Sequence, residues 1–256
     1  MRGSTFHDAA SQAYLKHLTT LARQLDRQLE RSGSSPTNGQ VHDLRVSIRR
    51  IRAALRFVEK SVRGTAVNHL EFKLKKLGKT LGKRRELDVA LDDAHAFHLD
   101  DAQLRSLRKK AHLQVKQALP GRKRRKLSRG LERVLTEIET HPEIDFRNAF
   151  SELGNKLLPW LDSPLCGEDQ IHSFRITMKK TRYALEAVGL SVEPLGQLQD
   201  HLGRAHDMEV LSQLIGHYPE VRRLEDMEIA RARKLARPVL EFVLKEIGPA
   251  RLRTAA

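Results

Sequence analysis

The feature that most limits what this chain can fold into is that it carries the same two blocks twice. Residues 41–60 read VHDLRVSIRRIRAALRFVEK, and residues 171–190 read IHSFRITMKKTRYALEAVGL. His42, Arg45, Arg49, Arg50, Arg52, Ala54 and Leu55 align with His172, Arg175, Lys179, Lys180, Arg182, Ala184 and Leu185, about 130 residues or half a chain later. A second pair follows in the same order: LKKLGKTLGKRRELDVA over 74–90 against LGQLQDHLGRAHDMEVL over 195–211. It shares Leu77/Leu198, Leu81/Leu202, Gly82/Gly203, Lys83/Arg204, Glu86/Asp207, Asp88/Glu209 and Val89/Val210. Two blocks repeated in one order imply two similar structural halves. The period is far longer than that of a solenoid, so the expectation is a duplicated domain with pseudo-two-fold symmetry, divided into residues 1–140 and 141–256.

Each copy opens with a helix. Residues 41–60 contain no Gly or Pro and are rich in Ala, Leu, Arg and Ile, which together favour a helix. Val41, Leu44, Ile48, Ile51 and Leu55 recur at three and four residues and form an apolar seam. Beside the seam, His42, Arg45, Arg49, Arg52 and Arg56 follow helical spacing and, at roughly 100° per residue, fall within about 80° of arc. A solvated helix face ordinarily mixes charges, which relieves like-charge repulsion. An unmixed row of one His and four Arg points to an anionic ligand that completes it. Arg50 and Lys180 lie on the opposite side of their helices and read as solvated.

The rest of the chain reads as helices separated by breakers, without strand alternation. A helix is expected over about 6–31, with Tyr14, Leu18, Leu21, Leu25 and Leu29 inward. RSGSSPTNGQ then breaks the pattern, and Thr37 or Asn38 caps the central helix. Further helices are expected over about 67–82 and 86–98, divided near Gly82, and over 102–119 and 121–140. In the second half they are expected over 144–158, from 168 or 169 to 190, and over 195–202, 206–216 and 220–246. Lys76, Lys79 and Lys83 share one face. RKRRK (122–126) is a further cationic run with no counterpart in the second half; it reads as an extra polyanion contact, an accessory nucleic-acid patch or a solubilising run.

Charge narrows the partner class. The formal net charge is +15, a field that draws polyanions: DNA, RNA, anionic lipid or polyphosphate. Aromatic residues make up 5%, too few for a reader that stacks single-stranded bases on rings. Cys166 is the single cysteine, which excludes an intrachain disulfide and a cysteine-based metal site. The N-terminus has no apolar signal region and no run is long enough to span a membrane, so a soluble cytoplasmic protein is expected. No HExxH pair or Gly-rich phosphate loop accompanies the histidines. The expectation is a binding protein with no catalytic residue, metal or cofactor.

HDLRVSIRRIRAALRFVE followed by LGKRRELDV resembles the CHAD family, the conserved-histidine α-helical domains, over about 14–247. The resemblance implies an all-α fold of two four-helix bundles with a basic surface between them, and binding of inorganic polyphosphate instead of catalysis. The family's basic positions carry over to His42, Arg45, Arg49 and Arg52, and to His172, Arg175, Lys179 and Arg182. Glu186 stands where the first copy has Arg56, and Asp200 where it has Lys79, so the second half is expected to contribute less. Arg gives bidentate contacts to phosphate oxygens, Lys a point charge and His one or two N–H donors. Arg56, Lys76, Lys79, Lys83, Arg204 and the hydroxyl of Tyr183 extend the expected surface. Glu86, Asp88, Asp207 and Glu209 are expected to pair with cations of the central helices and hold them in position. The functional expectation is a polyphosphate-binding protein at polyphosphate granules, with granule proteins as further partners. The alternative is a sequence-neutral DNA or RNA binder using the same surface.

Overall fold

The computed structural model describes residues 4–58, 65–139, 146–163 and 165–248. These residues form nine α-helices and one short 3-10 turn, with no strand among them. In chain order the helices are α1 (Ser4–Ser32), α2 (Asn38–Val58), α3 (Thr65–Ala96), α4 (Ala102–Ala118) and α5 (Gly121–Glu139). There follow α6 (Phe146–Leu157), which runs into the 3-10 turn Leu158–Trp160, then α7 (Glu168–Ala187), α8 (Leu195–Ile215) and α9 (Pro219–Ile247). The last two residues of the 41–60 stretch, Glu59 and Lys60, lie outside the described residues.

Two expected breaks are absent. Residues 67–82 and 86–98 form the single helix α3, and residues 195–202 and 206–216 form the single helix α8. A glycine inside a helix costs about 1 kcal/mol relative to alanine, which the strong helix formers flanking Gly82 offset. Gly78 has a packing reason as well. A Cβ built there would stand 3.2 Å from Ile48 Cγ2, so the bare backbone lets α2 approach α3 closely.

The chain falls into two compact units. One comprises Leu15–Pro142 and Val210–His217; the other comprises Met1–Tyr14, Glu143–Glu209 and Tyr218–Ala256. Neither unit is one continuous span, and α1 and α8 each have residues in both. In the first unit α2 packs on α3, and α3 also packs on α4 and α5. The predicted seam Val41, Leu44, Ile48, Ile51 and Leu55 is buried throughout, together with Leu70, Leu74, Leu77 and Leu81 of α3. In the second unit α6 packs on α7 and α9. Phe146 meets the Tyr14 ring edge-on at 5.7 Å, and Trp160 lies 5.3 Å from Phe174.

Candidate functional site

The start of α2 is fixed twice. Thr37 and Gln40 form a reciprocal cap: the Gln40 N–H donates to Thr37 Oγ1 at 3.3 Å, and the Thr37 N–H donates to Gln40 Oε1 at 2.9 Å. Two of the N–H groups that a helix start leaves unsatisfied are thereby paired. Asn38 serves a different purpose. Its Oδ1 accepts from Arg84 of α3 and from Arg108 of α4, each at 2.8 Å. Arg84, 1% exposed, also pairs with Asp88, which accepts from Arg108 Nε at 3.2 Å. Burial, with the neighbouring Arg108 and Arg85 charges, pushes the Arg84 guanidinium down to about 10. This buried network ties α2, α3 and α4 together one turn before His42. Asp88 was expected to pair with cations of the central helix; its partners instead come from α3 and α4, because its side chain lies inside that junction.

From this anchored start the basic row runs along α2. His42 is exposed, and its imidazole is held below its usual range by partial burial, by Arg85 and by Arg49 and Arg45, against the opposing charge of Asp43. Arg45 lies over Gly82, where a Cβ would stand 3.7 Å from its Nε. Arg49 is half-buried, and its Nε is shielded from solvent without a hydrogen-bond partner among the described residues. Arg52 donates through Nε and NH2 to Glu71 Oε1 at 3.1 and 2.8 Å, and Arg56 reaches the same oxygen at 3.4 Å. Burial alone would raise the Glu71 carboxyl, but Arg52 and Arg56 outweigh it and hold the carboxyl below its usual range. The row therefore has a partly neutralised end at Arg52 and Arg56, and nearer its start an Arg49 Nε with no hydrogen-bond partner among the described residues.

The second copy is built differently. The cap residue before α7 is Gly167, whose φ of 95° favours glycine and which supplies no side-chain cap. His172 is exposed, whereas Arg175 is buried. Arg182 donates to Glu186 Oε1 at 2.9 Å and to Gln199 Oε1 at 3.2 Å. The His172 ring faces His206 of α8, with centroids 5.8 Å apart, and His206 Nδ1 lies 3.1 Å from Glu209 Oε2. Burial and the Arg175 charge, with a smaller push from Lys179, take the His206 imidazole down to about 4 against the opposing effect of Glu209. Among the described residues, His172, His206 and Glu209 bring their ligand atoms within 4.8 Å of one another, close enough to hold a divalent cation. The same imidazoles can donate to an oxyanion. The nearby positive charges of Arg175 and Lys179 favour the anion.

A sequence profile of the CHAD domain matches residues 12–216. The chain belongs to the CHAD domain family. No curated protein matches it in sequence. Among solved structures it is similar to the CHAD domain from the plant Ricinus communis, at 23% identity and a TM-score of 0.64, over 96% of this chain and 89% of that one. It is also similar to PptA from Streptomyces chartreusis, at 18% identity and a TM-score of 0.61, over 93% of this chain and 98% of that one. At such identities the two structures establish a shared fold.

Within this CHAD fold, the helical register sorts the remaining expected residues. Glu71, Gly78 and Gly82 mark the side of α3 against α2. At 100° per residue Lys76 and Lys83 lie roughly 120–140° around the helix from that side, and Lys79 about 80°. All three lysines are exposed. On α8, Gln199 and His206 mark the side against α7, because Gln199 donates to the Met178 carbonyl at 2.9 Å. Arg204 lies roughly 150° from that side and is half-buried. Tyr183 is half-buried on the His172 side of α7. The groups that do flank the rows are Arg85, Glu71 and His206. Glycine register could have found them: stepping three or four residues from Gly78 and Gly82 reaches Arg85, and the matched step reaches His206. Glu71 precedes the repeated block and had no sequence signal.

Proposed function

We propose that this CHAD chain binds inorganic polyphosphate without transforming it, at polyphosphate granules in the cytoplasm. In this reading the basic rows of α2 and α7 line one groove between two four-helix halves related by a pseudo-two-fold axis. The observation that carries the proposal is the α2 row itself: His42, Arg45 and Arg49 stand at successive helical steps, and the Arg49 Nε is shielded and unpartnered among the described residues. A polyphosphate chain offers a negative group every few ångströms and no base edge to read. A row of guanidinium forks at helical-turn spacing suits that ligand, and association weakens steeply as salt rises because counterions are released.

The test is binding of labelled long-chain polyphosphate near physiological salt, challenged with duplex DNA, RNA and short polyphosphate. Polyphosphate competes best, and better as it lengthens. Arg45→Glu/Arg49→Glu abolishes binding while helicity survives. Retained affinity in that variant, or equal displacement by DNA at matched phosphate concentration, overturns the reading.

A further inference from the structure

Lys73 and His69 lie on the side of α3 turned away from α2, facing a neighbouring stripe on α5. His69 and Lys73 of α3, with Lys126, Arg129 and Arg133 of α5, line a cavity of about 280 Å³. Its apolar floor is Ala66 and Leu70, beside Gly130. Gly130 is needed for the close approach of the two helices: a Cβ there would stand 3.3 Å from Leu70 Cδ1. Lys126, Arg129 and Arg133 follow i, i+3, i+7 and so point into one furrow.

Several arginines elsewhere on this chain find acids. Arg52 and Arg56 share Glu71, Arg105 pairs with Asp101, and Arg222 faces Glu168, Glu225 and Asp226. Around this cavity, among the described residues, none of the five basic groups has a carboxylate partner; Arg129 Nε reaches only the Arg125 carbonyl, at 3.4 Å. Four permanent cations and an imidazole thus surround one concavity without a counter-charge. The cationic run that opens α5 is partly explained by local structure. Arg124 donates to the Leu29 carbonyl at 2.8 Å and Lys123 to the Gln117 carbonyl at 3.0 Å, closing the ends of α1 and α4. Lys126 and the later Arg129 and Arg133 have no such duty.

We infer that the α3–α5 cavity is a separate binding site for a compact inorganic oligophosphate of two or three phosphoryl groups. The volume lies at the small end for ligand pockets, which suits a short and highly charged molecule. Apart from one imidazole the lining has no ring on which a nucleobase could stack. Arg129 and Arg133 supply guanidinium forks that match phosphate oxygens, and Lys73 and Lys126 supply point charges from either wall. The site shares no residue with the α2 row and does not rest on the polyphosphate reading of that row.

The experiment is a calorimetric titration of the whole chain with tripolyphosphate. Arg45→Glu/Arg49→Glu retains a binding event. Arg129→Glu/Arg133→Glu weakens that event by about tenfold or more, as expected for lost charge-assisted bonds. Both arginines are exposed, so circular dichroism stays unchanged. Ala66→Phe fills the cavity without altering charge and weakens binding as well. ATP binds more weakly than tripolyphosphate. Loss of all tripolyphosphate binding in Arg45→Glu/Arg49→Glu, or full binding in Arg129→Glu/Arg133→Glu, overturns the site. Full binding in Ala66→Phe overturns the cavity in favour of bare surface charge. Tighter binding of ATP overturns the assignment to an unadorned oligophosphate. Long-chain polyphosphate, titrated in parallel, reports separately on the α2 row.

Discussion

Arg52 of α2 and Arg182 of α7 occupy matched positions in the repeat, and each lies against a carboxylate, but the two carboxylates have different origins. Glu71 reaches across from α3 and holds both Arg52 and Arg56. Glu186 sits one turn along α7 itself and pairs with Arg182, in the place where the first copy has Arg56. The second signature diverges in the same way. Arg84, Arg85 and Asp88 in α3 become Ala205, His206 and Glu209 in α8. The first copy buries a charged junction that anchors its basic row, whereas the second replaces it with an imidazole–carboxylate pair beside a buried Arg175. Phe174, Met178 and Leu185 of α7 are buried like Leu44, Ile48 and Leu55 of α2, with Thr181 in the place of Ile51, and the two rows differ most in what surrounds their cations.

The sharpest break in this comparison is at Asp88 and Glu209. Asp88→Asn leaves the buried Arg84 without its counter-charge and costs about 3–5 kcal/mol of stability. Glu209→Gln, at a half-buried site, costs about 1 kcal/mol or less. Chemical denaturation of the two variants checks the contrast, and equal losses would refute it. Next come the matched positions of the rows. Arg49→Glu weakens polyphosphate binding more than tenfold, and Lys179→Glu only about threefold, since a bidentate fork outweighs a point charge. A larger loss at Lys179 would reverse the ranking of the two halves. A smaller effect is a gain. Glu71→Gln removes the acid shared by two arginines and strengthens binding by about threefold, and Glu186→Gln removes the acid beside Arg182 alone of the α7 row and does less; both follow from removing an opposing surface charge of modest worth.

A separate effect concerns acid. His206 titrates near 6.5 in the unfolded chain and at about 4 in the fold. Between those values the unfolded state binds more protons, so stability is full above about 6.5 and falls as the pH drops towards 4. His206→Gln flattens this part of the melting-temperature profile. A variant with the wild-type slope would assign it to another group.

The apolar seams were legible because a buried stripe must repeat at the helical period, and Val41 to Leu55 did so without exception. The basic row keeps the same helical period along α2, which is one helix from Asn38 to Val58. The continuity of α3 and α8 was not legible, because Gly82 and Gly203 carry a breaker signature that the helix formers on either side outweigh. Nor were the partners of the charges. Asp88 lies one turn from Arg84 on its own helix, but only folding brings Arg108 and Asn38 to the same point. Glu71 sits outside every repeated block, and its value to Arg52 and Arg56 depends on how α2 crosses α3. Lys83 and Arg204 show the opposite failure. Their alignment was sound, and the register of their helices turns both away from the rows.

Because α3 runs unbroken for 32 residues, about 48 Å, one side of it braces the α2 row and another side walls the α5 furrow. A single rod between two anion-facing surfaces cannot fray on one face and stay wound on the other. Slowed amide exchange along α3 would then register occupancy on either side. Damage to its middle turns, where Gly78 seats Ile48, would loosen both surfaces in one cooperative event.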